Sequence, residues 1–117
     1  MANITRIEAG PRMSKVVVHG DTVYTAGLVA SNPKGADITA QTKDILAQMD
    51  QYLAAAGTDK TKILRANIWI TDMANFAGMN AVWDAWVSPG NTPARATVQA
   101  GLATPDYLVE IMIVAAK

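Results

Sequence analysis

Leu64-Arg65-Ala66-Asn67-Ile68-Trp69-Ile70-Thr71 sets Leu64, Ala66, Ile68 and Ile70 on one parity and Arg65, Asn67, Trp69 and Thr71 on the other. Side chains of a strand point alternately to its two faces, so this is the pattern of a strand with one apolar face. Helical patterns flank it on both sides. Upstream, Ile38, Ile45, Met49, Leu53 and Ala56 recur at helical spacing and mark one buried stripe. Asp37 is placed to cap that helix, and Gly57 to end it. Downstream, Asp72 is placed to cap a second helix. Phe76, Met79, Trp83, Trp86 and Val87 fall in a narrow arc of it, and Ser88-Pro89-Gly90 stops it. Helix, strand, helix predicts a βαβ-type crossover, which is right-handed.

Working outward, Ile4 to Glu8 is a weak strand candidate. Lys15 to His19 and Thr22 to Leu28 are stronger ones, rich in Val, Thr and Tyr. The Gly20-Asp21 pair between them predicts a hairpin. Ser31 to Gly35 reads as a loop and Thr58 to Lys62 as a polar connector. Ala94 to Ala100 and Tyr107 to Ala115 are the last two strands. The order is β-β-β-α-β-α-β-β, an α+β pattern with a mixed sheet and both helices on one face. The final strand is apolar on both faces apart from Glu110, and so needs cover on both. Helices supply one cover, and a partner subunit is expected to supply the other.

The 117 residues fit one domain, 1–117. Ten basic and ten acidic residues give zero net charge, with no basic run or stripe. That argues against a nucleic-acid partner. Half the residues are apolar, which is high for a small monomer and points to surface buried between copies. Cysteine is absent, so disulfides and thiolate chemistry are excluded. With a single histidine as well, a metal site is not expected. No signal-peptide pattern and no membrane-length apolar run is present. A cytoplasmic protein with no membrane partner is the expectation.

Two charges stand out because they sit in apolar strands. Arg95 opens the strand after Thr92-Pro93-Ala94 and shares a face with Thr97 and Gln99. Glu110, one of only two glutamates, lies within Val109-Glu110-Ile111-Met112-Ile113. A guanidinium grips a carboxylate with two parallel hydrogen bonds, and a carboxylate can take a proton from water. Together they suggest a small pocket for a small organic acid. The alternative is structural: an ion pair of Glu110 with Arg65 or Arg95. Asn80 lies near the Phe76/Trp83 side of the second helix, where it serves a pocket or bonds to backbone. Arg12 follows Gly10-Pro11 in a turn, an ordinary place for a solvated cation. His19, at a strand end, reads as a surface residue, and the three tryptophans as core or interface.

The chain resembles the reactive intermediate deaminase family, also called Rid or YjgF. The resemblance runs through Gly10-Pro11, Asp21-Thr22-Val23-Tyr24-Thr25-Ala26-Gly27, Asp37-Ile38-Thr39-Ala40-Gln41-Thr42 and Ala55-Ala56-Gly57. It continues in Thr71-Asp72-Met73-Ala74-Asn75-Phe76, Asn80, Pro93-Ala94-Arg95 and Val109-Glu110-Ile111. It implies a chorismate-mutase-like fold and a homotrimer with pockets between subunits. It also implies cofactor-free hydrolysis of 2-imino acids such as 2-iminobutanoate and 2-iminopropanoate. These are tautomers of reactive enamines made by pyridoxal-phosphate enzymes, and the products are a 2-keto acid and ammonia. By the same resemblance Arg95 binds the substrate carboxylate and Glu110 stands by the attacking water. Asn80 is a pocket residue, and Thr97 takes a position often held by cysteine. Three positions depart from the family pattern: Arg12 replaces a tyrosine, Ala26 a common serine and Leu28 a common glutamine. These predict a pocket with a more apolar wall and a cationic mouth. A non-catalytic trimer that binds small carboxylates is the competing reading, and an RNA-related role the weaker one.

Overall fold

A computed structural model describes residues 3–117. The strands are β1 (Ile4–Ala9), β2 (Ser14–His19), β3 (Thr22–Thr25), β4 (Ile63–Ile70), β5 (Ala94–Gln99) and β6 (Val109–Ala116). The helices are α1 (Ile38–Ala55) and α2 (Phe76–Trp86), with single 3₁₀ turns at Lys60–Lys62 and Met73–Asn75. The predicted order of strands and helices is the observed one. The six strands form one mixed sheet in the order β1-β2-β3-β6-β4-β5. Only β4 and β5 run parallel, joined through α2. The core lies between the sheet and the two helices, and the stripe Ile38, Ile45, Met49, Leu53 and Ala56 is buried in it.

Local chemistry explains the boundaries. His19 pairs with Thr22 across Gly20-Asp21, and Gly20 has φ 59°, the arrangement of a type II′ hairpin turn. Asp37 caps α1 by accepting the Ala40 N–H at 2.8 Å. At the other end Gly57 has φ 83°, its N–H bonds the Ala54 carbonyl and the Thr58 N–H bonds that of Leu53. This is the Schellman pattern of a glycine stop. Asp72 does not cap α2 directly. It caps the 3₁₀ turn Met73–Asn75, and α2 begins after it without a side-chain cap. The buried face of α2 is Met79, Val82 and Trp83, while Phe76, expected in the stripe, is 36% exposed.

The strand predicted over Thr22 to Leu28 is interrupted. Tyr24 pairs with Val114 and Leu28 with Ile111, leaving three residues on one side against two on the other. That one-residue excess is a β-bulge at Thr25-Ala26-Gly27. Thr25 Oγ1 mends the ladder by accepting the Ile113 N–H at 3.0 Å. The last strand starts at Val109 rather than Tyr107, because the Leu108 N–H donates to the side chain of Gln41 at 2.9 Å.

Gln41 is wholly buried. Its Nε2 donates to the carbonyls of Asp106 (2.9 Å), Ala36 (3.1 Å) and Pro33 (3.3 Å). One amide thus ties both connections flanking the helices to α1. Gln41→Ala leaves several buried backbone groups unpaired and opens a cavity, with an expected loss of about 3 kcal/mol. A urea unfolding curve at fixed protein concentration measures it, and an unshifted midpoint contradicts this role.

Candidate functional site

Strand register decides where the two charges point, since residues directly opposite each other share a face. Arg95 pairs with Ala66, which is fully buried beneath the helices, and Thr97 pairs with Ile68. Arg95 and Thr97 therefore face the helix side of the sheet, at its β5 edge. Glu110 pairs with Trp69, whose neighbours Ile68 and Ile70 are core. Glu110 therefore faces the side without helices. Along β4 the two pairing positions, Ala66 and Trp69, are three residues apart, and β6 and β5 flank β4. Strand spacings then separate the two Cα atoms by about 14 Å, through the sheet. Within one chain the residues cannot meet, so their mutual ion pair is excluded. Arg65 shares the Glu110 side but stands four residues along β4 from Trp69, about 13 Å away. The alternative of a salt bridge from Glu110 to either arginine fails within the chain.

Each charge has its own surroundings. On the helix side, the Arg95 guanidinium carbon lies 5.5 Å from the centre of the Trp83 ring. Asn80 sits one turn before Trp83 on the same flank of α2. Among the described residues, Asn80 Oδ1 and Thr97 Oγ1 are buried without a hydrogen-bond partner. Such groups cost about 1–3 kcal/mol each when unpaired, so both atoms are open to a donor or acceptor from outside the chain. The backbone-bonding alternative for Asn80 Oδ1 is thereby set aside.

On the other side, the half-buried Glu110 carboxylate lies over Gly27. A Cβ at Gly27 would stand 2.8 Å from Glu110 Cδ and closer still to Oε2. The bulge brings Gly27 there: the Ala26 N–H bonds the Lys15 carbonyl at 2.8 Å, and Leu28 exchanges two backbone bonds with Ile111. Ala26 is half-buried beside this cluster. Arg12 is exposed in the β1–β2 connection, at the sheet end where Lys15 meets Ala26. Leu28 is only 1% exposed and belongs to the core. The expected apolar pocket wall at Leu28 is therefore corrected: its side chain packs inside the fold, and its backbone pairs with Ile111.

Gly27 was not among the candidate site residues of the sequence. Its signal was its place inside a strand pattern, where glycine marks a bulge or a close approach. Trp83, expected in the core or an interface, also touches Arg95, a contact between two separate elements that no local pattern announces.

Two surface hollows are lined by other residues than Asn80, Thr97, Trp83 and Glu110. One, of about 200 Å³, is lined by Arg65, Ala66, Asn67, Ala94, Arg95 and Ala96. The other, of about 550 Å³, runs between α1 and α2 past Leu46, Val82 and Trp86. It is larger but holds none of the residues chosen from sequence. Two of its polar groups are engaged within the fold: Lys60 Nζ donates to the Trp86 carbonyl at 2.7 Å, and Asp50 accepts the Trp86 indole N–H at 3.1 Å. Among the described residues no cluster of His, Cys, Asp or Glu could hold a metal ion, and no helix is long and apolar enough to cross a membrane.

The sequence model of the endoribonuclease L-PSP family matches residues 3–117. The RutC family protein YoaB of Escherichia coli is 49% identical, over 97% of each chain. A crystal structure of a YjgF-family member from Neisseria meningitidis superposes with TM-score 0.95 at 45% identity, covering 98% of this chain and 95% of that one. A Rid-family protein from Yersinia pestis superposes with TM-score 0.88 at 27% identity over the full length of both. The chain belongs to the endoribonuclease L-PSP family, the YjgF/Rid family of these relatives.

Proposed function

We propose that the protein hydrolyses 2-imino acids, the tautomers of reactive enamines, to 2-keto acids and ammonia, in pockets completed by two copies of the chain. The observation that carries this reading is the corner at Arg95. There Arg95 and Thr97 share the helix side of β5, Arg95 reaches Trp83 on the helix that also carries Asn80, and Asn80 Oδ1 and Thr97 Oγ1 are buried without partners among the described residues. Arg95 takes the substrate carboxylate in a two-pronged grip. Asn80 and Thr97 meet the nitrogen end of the substrate, and Glu110 of a neighbouring copy holds water against the imine carbon.

The imine carbon is already electrophilic, so catalysis asks for orientation and proton transfer. Glu110 takes a proton from water as its oxygen bonds to the carbon, and the C=N pair moves to nitrogen, which is protonated. The resulting carbinolamine expels ammonia as its hydroxyl loses a proton, which leaves the keto acid.

A shared pocket is supported by the uncovered sheet face. Tyr24 and Val98 are 44% and 50% exposed there, beside half-buried Trp69, Met112 and Val114. Contiguous apolar surface of this kind marks an interface. A homotrimer is the arrangement proposed, and sedimentation returning a monomer would remove the shared pocket.

The test generates 2-imino acids with an amino-acid oxidase and traps the unhydrolysed fraction with semicarbazide. Wild type is expected to lower the trapped imine across several side chains, and the profile reports what Arg12 selects at the mouth. A folded oligomer with no effect on any imine, yet stabilised thermally by small carboxylates, would replace catalysis with a binding role. Zero net charge gives the family's ribonuclease name no electrostatic support in this chain.

A further inference from the structure

We infer that Trp83 is a positioning residue for Arg95, holding the guanidinium by its face so that its N–H edge stays free for a carboxylate. The inference rests on the carboxylate-binding role proposed for Arg95. Arg95 lies on an edge strand, paired on one side only. A long side chain there loses considerable rotamer freedom when it is fixed. Something must fix it if it is to receive a ligand in one orientation.

An acidic partner would do so, but would occupy the same fork of donors that a substrate needs. An aromatic face need not compete: cation–π attraction acts along the normal of the ring, and a guanidinium stacked flat on it keeps its in-plane N–H groups available. The 5.5 Å separation of the Arg95 guanidinium carbon from the Trp83 ring centre is within the range of this attraction.

Trp83 is itself held. It is 5% exposed, and its ring meets that of Trp86 at 5.5 Å with the planes at 50°. Trp86 is anchored in turn by Asp50 on its indole N–H and by Lys60, 5.2 Å from its ring centre and bonded to its carbonyl. A buried indole, packed on an anchored neighbour, thus lies beneath the Arg95 guanidinium.

The test compares wild type, Trp83→Leu and Trp83→Tyr, with Val82→Ala as a control that removes core volume on the same helix. Calorimetry measures binding of 2-oxobutanoate, and the imine assay gives KM and kcat separately. Trp83→Leu is expected to weaken binding and raise KM about tenfold with kcat nearly unchanged. Trp83→Tyr and Val82→Ala should stay close to wild type. In an Arg95→Ala background, Trp83→Leu should cost nothing further.

If Trp83→Leu does not fold, site-specific fluorinated tryptophans at position 83 take its place. Binding should then weaken stepwise with fluorine count as the ring's negative face is depleted. A flat fluorine series, unchanged binding in Trp83→Leu, or the same loss without Arg95, overturns the inference. Wild type that binds 2-oxobutanoate but turns over no imine would sink the deaminase reading and leave Trp83 to be judged on binding. Wild type that binds no 2-oxo acid would remove Arg95's role and Trp83's with it.

Discussion

Arg95→Ala and Glu110→Gln, each inactive alone, should recover activity when the two proteins are unfolded together and refolded as mixed assemblies. Alone, Arg95→Ala loses the carboxylate grip, a charge-assisted pair whose truncation costs about 10²–10³-fold in kcat/KM. Glu110→Gln loses the proton acceptor, worth about 10²–10⁴-fold. The register leaves these residues on opposite faces of one sheet, so no single chain can supply both to one substrate. The proposed pocket between copies takes Arg95 from one and Glu110 from the next. Random mixing of equal amounts in a cyclic assembly then makes about a quarter of the pockets intact. Recovery to roughly that level, proportional to the mixed species seen by native mass spectrometry, is the expected result. Mixed assemblies that form and stay inactive would show that both residues must come from the same chain, which contradicts the geometry.

Much of this fold is legible along the chain, and the site is legible in a different way. Alternation over Leu64 to Thr71 and the helical stripe from Ile38 to Ala56 are local signals, so the element order follows from them. Asp37, Gly57 and the Gly20-Asp21 pair do their capping and turning within a few residues. Arg95 and Glu110 are conspicuous because charge is costly in apolar strands. Which face each one takes is not a local property. It depends on pairing Ala66 with Arg95 and Trp69 with Glu110, and a shift of one residue in either ladder would reverse it. The same holds for Gln41, whose amide is satisfied by residues as distant as Asp106 and Leu108. Leu28 shows the cost of transferring a position without its direction: one extra residue in the bulge leaves its side chain in the core.

Gly27→Ala should abolish most activity while barely altering stability. Gly27 has no positive φ to explain it, since the glycines with left-handed backbone are Gly20, Gly35, Gly57 and Gly90. Space explains it instead. A methyl group there would come within 2.8 Å of Glu110 Cδ and 3.1 Å of Cγ, closer than real side chains tolerate. What must yield is the end of a flexible glutamate, not the backbone or the core, so the fold gives way cheaply. The carboxylate then swings off the position at which it addresses water. Displacing a catalytic group by about 1 Å costs on the order of 10²-fold in rate. The expected signature is a fall in kcat of that order with KM and the thermal midpoint nearly unchanged, approaching the Glu110→Gln value. Adding Gly27→Ala to Glu110→Gln should then cost little more, because both act through one group. A Gly27→Ala protein with full kcat would mean that Glu110 works from another rotamer. An equal further loss in the double variant would mean that Gly27 serves the substrate directly, through its own backbone.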